Sequence, residues 1–298
     1  MENVNAKYYG SIDVDDNNFN VALIETASNE LLHFKCNSNV SAMVKKIKQK
    51  NIHLQDIQLC YEATYLGYTL YRDLKTRGIK CEVIAPSLIP KTPGRKIKTD
   101  RLDCIKLARY YLKGMLTPVH IPDEEDEKVR DLIRSRRLLV DQVKKIKTHI
   151  ISLSKRMGLD YRKQRGITNA AYWTQIHCKW LEKEINQLPE SSPLRLNLSG
   201  LLSTCRNTET FISYYDEQIS LIAQRPKYKD KDKVKALNCF RGLKDLSSLT
   251  LTTELGDIRR FPHPSKVSAY SGLSIREYSS AQEEKNSALE LQNRETAY

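Results

Sequence analysis

The sequence predicts a mixed α/β N-terminal third, a helical coiled-coil middle and a small, mainly α-helical C-terminal part. Three observations carry that division. Short apolar runs separated by turn residues fill the chain up to about residue 113, two heptad seams lie between residues 129 and 222, and a charged stretch, Pro226 to Lys235, reads as a linker. The expected domains are therefore 1–122, 123–226 and 227–298.

Tyr8 to Val14, Asn18 to Thr26 and Leu31 to Cys36 read as three strands with short connections, an antiparallel meander. Asn39 can cap a helix whose apolar face is Val40, Met43, Val44 and Ile47. Ile57 to Glu62 is a fourth strand. Leu66, Leu70 and Leu74 mark a helix closed by Gly78, and Cys81 to Ala85 is a fifth strand stopped by Pro86. Thr99 can cap a last helix, Asp100 to about Lys113. The order βββ-α-β-α-β-α is that of a ribonuclease-H-like sheet.

The acids fall at the ends of these elements. Asp13 closes the first strand, Glu62 closes the fourth, and Asp100 and Asp103 share one face at the start of the last helix. Any one of them alone reads as a solvated or dipole-favoured acid. Four converging on one sheet edge need counter-charge, because like charges raise each other's pKa. Two Mg²⁺ ions, with Mn²⁺ as a substitute, would supply it and clamp the attacking and leaving oxygens of a phosphodiester. Lys91, Arg95, Lys96 and Lys98 precede that helix and suit a loop that holds a phosphate backbone.

Val129, Leu132, Arg136, Leu139, Val143, Ile146, Ile150 and Leu153 are spaced alternately by three and four, and Leu198, Leu201, Cys205, Thr208, Ile212, Tyr215, Ile219 and Ile222 repeat the pattern. Two such arms can pair within the chain or with a second copy. Off its seam the first arm is basic, and Arg134, Arg137, Lys144 and Lys147 are candidate nucleic-acid contacts. The whole chain has 49 Lys and Arg against 36 Asp and Glu, a formal charge of +13 that favours polyanionic partners. No apolar run approaches the roughly 18 residues of a membrane span, and the polar start is no signal peptide. Seven scattered cysteines without a C-x-x-C pair indicate reduced thiols, and the adjacent His177 and Cys178 lack the further ligands of a zinc site.

Near the C-terminus stand Gly256-Asp257-Ile258-Arg259-Arg260-Phe261, then Lys266 to Gly272, then Tyr278-Ser279-Ser280. With Ile12-Asp13, Tyr61-Glu62-Ala63-Thr64 and Lys98-Thr99-Asp100 followed by Asp103, these resemble the DEDD transposases, the Piv/MooV type of insertion-sequence recombinase. The resemblance covers about residues 7 to 280. It implies a RuvC-like domain whose metal-binding carboxylates are Asp13, Glu62, Asp100 and Asp103, and a small transposase domain with Ser280 as nucleophile and Ser279 its neighbour. It further implies target and donor double-stranded DNA, a structured bridge RNA as guide, a dimer or tetramer, and the cytoplasm of a prokaryotic cell. A RuvC-like junction nuclease using activated water, or an inactive nucleic-acid-binding remnant, are the alternatives.

Two departures stand out. Phe240-Arg241-Gly242-Leu243-Lys244 replaces the family's Pro-Gly-x-Gly hairpin. After Ser280 the family's Gly, basic stretch and Gly-Ile-Thr-Lys pattern is missing, and a shifted reading frame could spell it. The expectation is a chain truncated or frameshifted just after Ser280.

Overall fold

The computed structural model describes residues 6–90, 99–166 and 168–273, together with the backbone of 279–280 and 283–284. Met1–Ile121 and Pro122–Ser271 belong to separate compact units.

In the first unit, β1 (Tyr8–Val14), β2 (Asn18–Glu25) and β3 (Leu31–Asn37) form an antiparallel meander, and β4 (Ile57–Glu62) and β5 (Lys80–Ile84) add to β1 in parallel. The spatial order is β3-β2-β1-β4-β5. Two helices, α1 (Val40–Lys48) and α2 (Thr69–Thr76), cover one face, where Ile12, Val21, Leu23, Leu59 and Tyr61 pack against Met43, Ile47 and Leu74. Helix α1 starts at Asn39, whose side chain accepts the Ala42 N–H at 2.7 Å, a cap worth about 1 kcal/mol. The helix expected from Leu66 begins only at Thr69; Leu66 precedes it in a turn. Gly10 sits on the α1/α2 face of β1, where a methyl group would collide with Leu23 and the Ala22 carbonyl, so glycine permits the close approach of β1 and β2.

The other face is covered by α3 (Asp100–Leu112). Ala22 and Ile24 pack against Cys104 and Ala108, and Cys60 and Ile84 against Leu107 and Tyr111. Because side chains alternate along a strand, Ser11 and Asp13 on β1 and Cys60 and Glu62 on β4 point to this same face.

The second unit is helical. Two long helices, α4 (Glu124–Arg156) and α7 (Pro193–Gln224), run antiparallel: Val129 near the start of α4 packs with Ile219 and Ala223 near the end of α7, and Ile150 and Leu153 pack with Leu198 and Leu202. Arg136, the one polar position of the α4 seam, binds Asp216 of α7 through two hydrogen bonds of 2.5 and 3.0 Å. Between them lie α5 (Tyr161–Arg165) and α6 (Gln175–Gln187).

The stretch expected to be a linker is instead structured. Tyr228 and Val234 are buried against α4 and α7, Lys229 is paired with Asp123, Asp126 and Asp230, and α8 (Lys231–Asn238) begins within it. Within the alternation of Lys and Asp that reads as a solvated linker, Lys229, Asp230 and Lys233 are in ion pairs. The boundary expected at 226/227 falls inside this unit, because α9 (Asp245–Leu255) also packs on α4: buried Arg130 donates to the Thr253 carbonyl, and Arg134 pairs with Glu254. A short helix, α10 (Pro264–Tyr270), is fastened to α9 by Tyr270, whose hydroxyl donates to the Glu254 carbonyl.

Candidate active site

Asp13 and Glu62 end two neighbouring parallel strands. The register pairs Ile12 with Tyr61, so the next residues, Asp13 and Glu62, stand side by side at the carboxyl edge of the sheet. Helix α3 begins above that edge. Thr99 caps it, its hydroxyl accepting the Leu102 N–H at 3.4 Å, which places Asp100 and Asp103 in the first turn.

The register of α3 over the sheet is set by two buried residues. The Ser11 hydroxyl donates to the Cys104 carbonyl at 2.6 Å, and the Cys104 thiol donates to the Asn20 carbonyl at 3.1 Å. Ser11 lies two positions before Asp13, and Cys104 directly follows Asp103. The clasp therefore joins the two backbones that carry the carboxylates.

All four acids line one cleft of about 300 Å³, with Lys106 and Tyr110 of α3 on its wall. That is the lower end of the size range of ligand sites. Burial raises the pKa of the Asp13 carboxyl, and the charges of Asp100, Asp103, Asp15 and Glu62 raise it further. The cleft thus concentrates negative charge around a half-buried acid.

The donor set is hard carboxylate oxygen, which suits Mg²⁺. Among the described residues no three His, Cys, Asp or Glu form a ready-made cage for one ion. Mg²⁺ does not require one, since it keeps several waters and takes one or two carboxylates plus substrate phosphates. The residues present fit the ion.

Residues 11–157, which contain all four acids, match a DEDD-type transposase family model, and residues 234–294 match the transposase IS116/IS110/IS902 family. The transposase for insertion sequence element IS1533 of Leptospira borgpetersenii is 32% identical over 264 residues, 86% of this chain and 73% of that protein. The chain belongs to the IS110 family of transposases. The y4qE protein of Sinorhizobium fredii is 33% identical over 229 residues, 77% of this chain and 53% of that one. The transposase for insertion sequence element IS1111A of Coxiella burnetii is 22% identical over 218 residues, 72% and 55% of the two chains. The chain thus spans about half the length of two of these relatives and about three quarters of the third.

The second match reaches beyond Ser280, to residue 294. Ser279–Ser280 forms a short strand, β6, paired antiparallel with β7 (Glu283–Glu284). The Ser280 side chain and the tail from residue 285 lie outside the described residues, as do Lys91, Arg95, Lys96 and Lys98.

The four basic candidates on α4 of this transposase-family chain are engaged within the chain. Arg134 pairs with Glu254 at 3.0 Å, Arg137 and Lys144 with Asp141 at 3.0 and 3.7 Å, and Lys147 with Glu209 at 2.5 Å. His177, adjacent to Cys178, is buried and accepts the Trp173 N–H at 3.1 Å. The family-like segment Gly256–Phe261 has a structural part to play: Asp257 binds Arg259, and the Arg260 guanidinium lies 4.0 Å from the Phe261 ring centroid and 4.6 Å from that of Tyr270.

Sequence reasoning missed the Ser11–Cys104 clasp and the cleft wall of Lys106 and Tyr110. The signal for Ser11 is its period-two relation to Asp13, a polar residue on a strand face otherwise meant for a helix. No sequence signal links it to Cys104.

Proposed function

We propose that the chain is a Mg²⁺-dependent DNA transposase that cuts and rejoins strands at the insertion-sequence ends through a phosphoserine intermediate. The observation that carries this reading is the cleft lined by Asp13, Glu62, Asp100 and Asp103 within the family-matched segment. The β3-β2-β1-β4-β5 order, antiparallel on one side and parallel on the other, supports a ribonuclease-H-like, RuvC-like reading of the first unit. The long α4/α7 pair supports the coiled-coil reading of the middle.

In this reading Asp13, Glu62, Asp100 and Asp103 hold two Mg²⁺ ions, with Mn²⁺ able to replace them. When bound, the ions polarise the scissile phosphate and offset charge on the attacking and leaving oxygens. The Ser280 hydroxyl gives up its proton and its oxygen bonds to phosphorus. One sugar–oxygen bond to phosphorus breaks, and the departing sugar oxygen takes a proton. Attack by a sugar hydroxyl of the partner strand then displaces serine, so the diester count is unchanged. The site has no means of reading sequence from four acids, which fits the delegation of target and donor choice to base pairing with a structured guide RNA. Joining two DNA partners calls for a homo-oligomer, a dimer or tetramer.

The test uses the chain with a plasmid carrying its gene and native flanks, a source of both element ends and any RNA transcribed there. Asp13→Asn and Asp103→Asn should each reduce Mg²⁺-dependent strand cleavage about a hundredfold or more, several kcal/mol of lost charge stabilisation. Ser280→Ala should abolish the covalent protein–DNA adduct and cleavage together. Cleavage that survives Ser280→Ala would establish the water-using nuclease, and cleavage that survives both acid changes would refute the carboxylate centre.

A further inference from the structure

Two sets of described cations in the helical unit differ in their surroundings. Along α4, Arg134, Arg136, Arg137, Lys144 and Lys147 are each paired with a carboxylate of the same chain. At the end of the α4/α7 hairpin, from the last turn of α4 through α5, lie Lys155, Arg156, Arg162, Lys163 and Arg165, and among the described residues none of these five is paired with a carboxylate. The one acid in that segment, Asp160, is the cap of α5, accepting the N–H groups of Arg162 and Lys163 at 3.1 and 3.2 Å.

Three of these charges, on Lys155, Arg162 and Arg165, sit over aromatic rings. Lys155 Nζ lies 5.7 Å and the Arg162 guanidinium 4.4 Å from the centroid of the Tyr172 ring. Arg165 lies 5.9 Å from the ring of Tyr161, whose own centroid is 6.2 Å from that of Tyr172. Tyr161, Tyr172, His177 and Trp180 form one aromatic cluster beneath them, and Arg162 Nε also donates to the Ala170 carbonyl at 2.9 Å. Burial lowers the pKa of His177, and Lys155, Lys163 and Arg165 are exposed. The space within the cluster is about 10 Å³, too small for any ligand, and the rings are occupied with one another, so no base can stack there.

We propose that the tip of the α4/α7 hairpin, formed by Lys155, Arg162, Lys163 and Arg165 on their aromatic base, is a sequence-independent docking surface for the phosphate backbone of double-stranded DNA. Charge complementarity carries the argument: a duplex presents about one charge per 1.7 Å of axis, and cations not neutralised by a carboxylate release its counterions on contact. The surface is independent of the carboxylate cleft, so its test excludes divalent metal and stands or falls separately from the proposed chemistry.

The test is binding of the full chain to a labelled 30-base-pair duplex of arbitrary sequence, read by fluorescence anisotropy in EDTA over a series of salt concentrations. The triple variant Lys155→Gln, Lys163→Gln, Arg165→Gln should weaken binding about tenfold or more and reduce the slope of log K against log salt by about two to three. The arm variant Arg137→Gln, Lys144→Gln should move the slope by less than one. Should the triple variant fail to fold by circular dichroism, Lys163→Gln alone should lower the slope by about one. An unchanged slope in the folded variant overturns the proposal. So does loss of binding confined to an RNA stem-loop assayed in parallel, which would make the tip an RNA surface.

Discussion

At the scale of single residues, the acids of the cleft work against the fold that carries them. Asp13 is half-buried among like charges, and both effects favour its neutral form. Asp13→Asn should therefore raise the melting temperature of the chain in EDTA, while a purely structural acid would lower it. Ser11 acts in the opposite sense. Its buried hydroxyl ties β1 to α3, and Ser11→Ala leaves the Cys104 carbonyl without that donor at a cost of about 1–2 kcal/mol. Thermal unfolding at a fixed pH distinguishes the two, since the variants move the midpoint in opposite directions. The acids were legible because strand ends and helix starts are marked by local sequence. The clasp was not, since Ser11 and Cys104 are 93 residues apart and only the packed structure makes them neighbours.

Among the elements, α9 holds the helical unit together through its N-terminal acid. Asp245 accepts hydrogen bonds from Ser220 at 2.7 Å and Gln224 at 3.1 Å on α7 and from Asn238 of α8 at 2.7 Å. The Ser220 hydroxyl, with Asn238 and Gln224, lowers the Asp245 pKa below the ordinary aspartate value. A lowered carboxylate contributes stability that is present above its unfolded pKa of about 3.9 and is lost as pH falls through the folded value. Asp245→Asn should thus destabilise at neutral pH and lose less than wild type between pH 4 and pH 2, as followed by helical circular dichroism. The heptad seams identified α4 and α7 correctly, and Arg136 at a seam position is explained by Asp216 across the pair. The same reading failed for Pro226 to Lys235. Charge alternation looks identical in a solvated linker and in a set of ion pairs, and only the burial of Tyr228 and Val234 separates them.

For the whole molecule, the two units differ: the sheet and α3 bring four carboxylates to one cleft, and α4 of the helical unit pairs several of its cations with carboxylates of the same chain. Arg130, buried near the start of α4, joins α4 to α9 by donating to the Thr253 carbonyl and approaching Glu254 at 3.7 Å. Arg130→Ala should cost about 2–3 kcal/mol, read as a lower urea midpoint of the helical signal. Among the described residues no helix is long and apolar enough to cross a membrane. The basic excess visible in composition is real, but composition could not say which cations are neutralised at home; that required the ion pairs along α4.

The most direct measurement is Mn²⁺ binding to the full chain without nucleic acid, with the free ion followed by electron paramagnetic resonance. If Asp13, Glu62, Asp100 and Asp103 form the metal centre, the wild type binds Mn²⁺ saturably, Mg²⁺ competes, and Asp13→Asn and Asp103→Asn each weaken binding tenfold or more. Mn²⁺ binding equal in wild type and both variants, with each chain folded, would contradict the carboxylate centre.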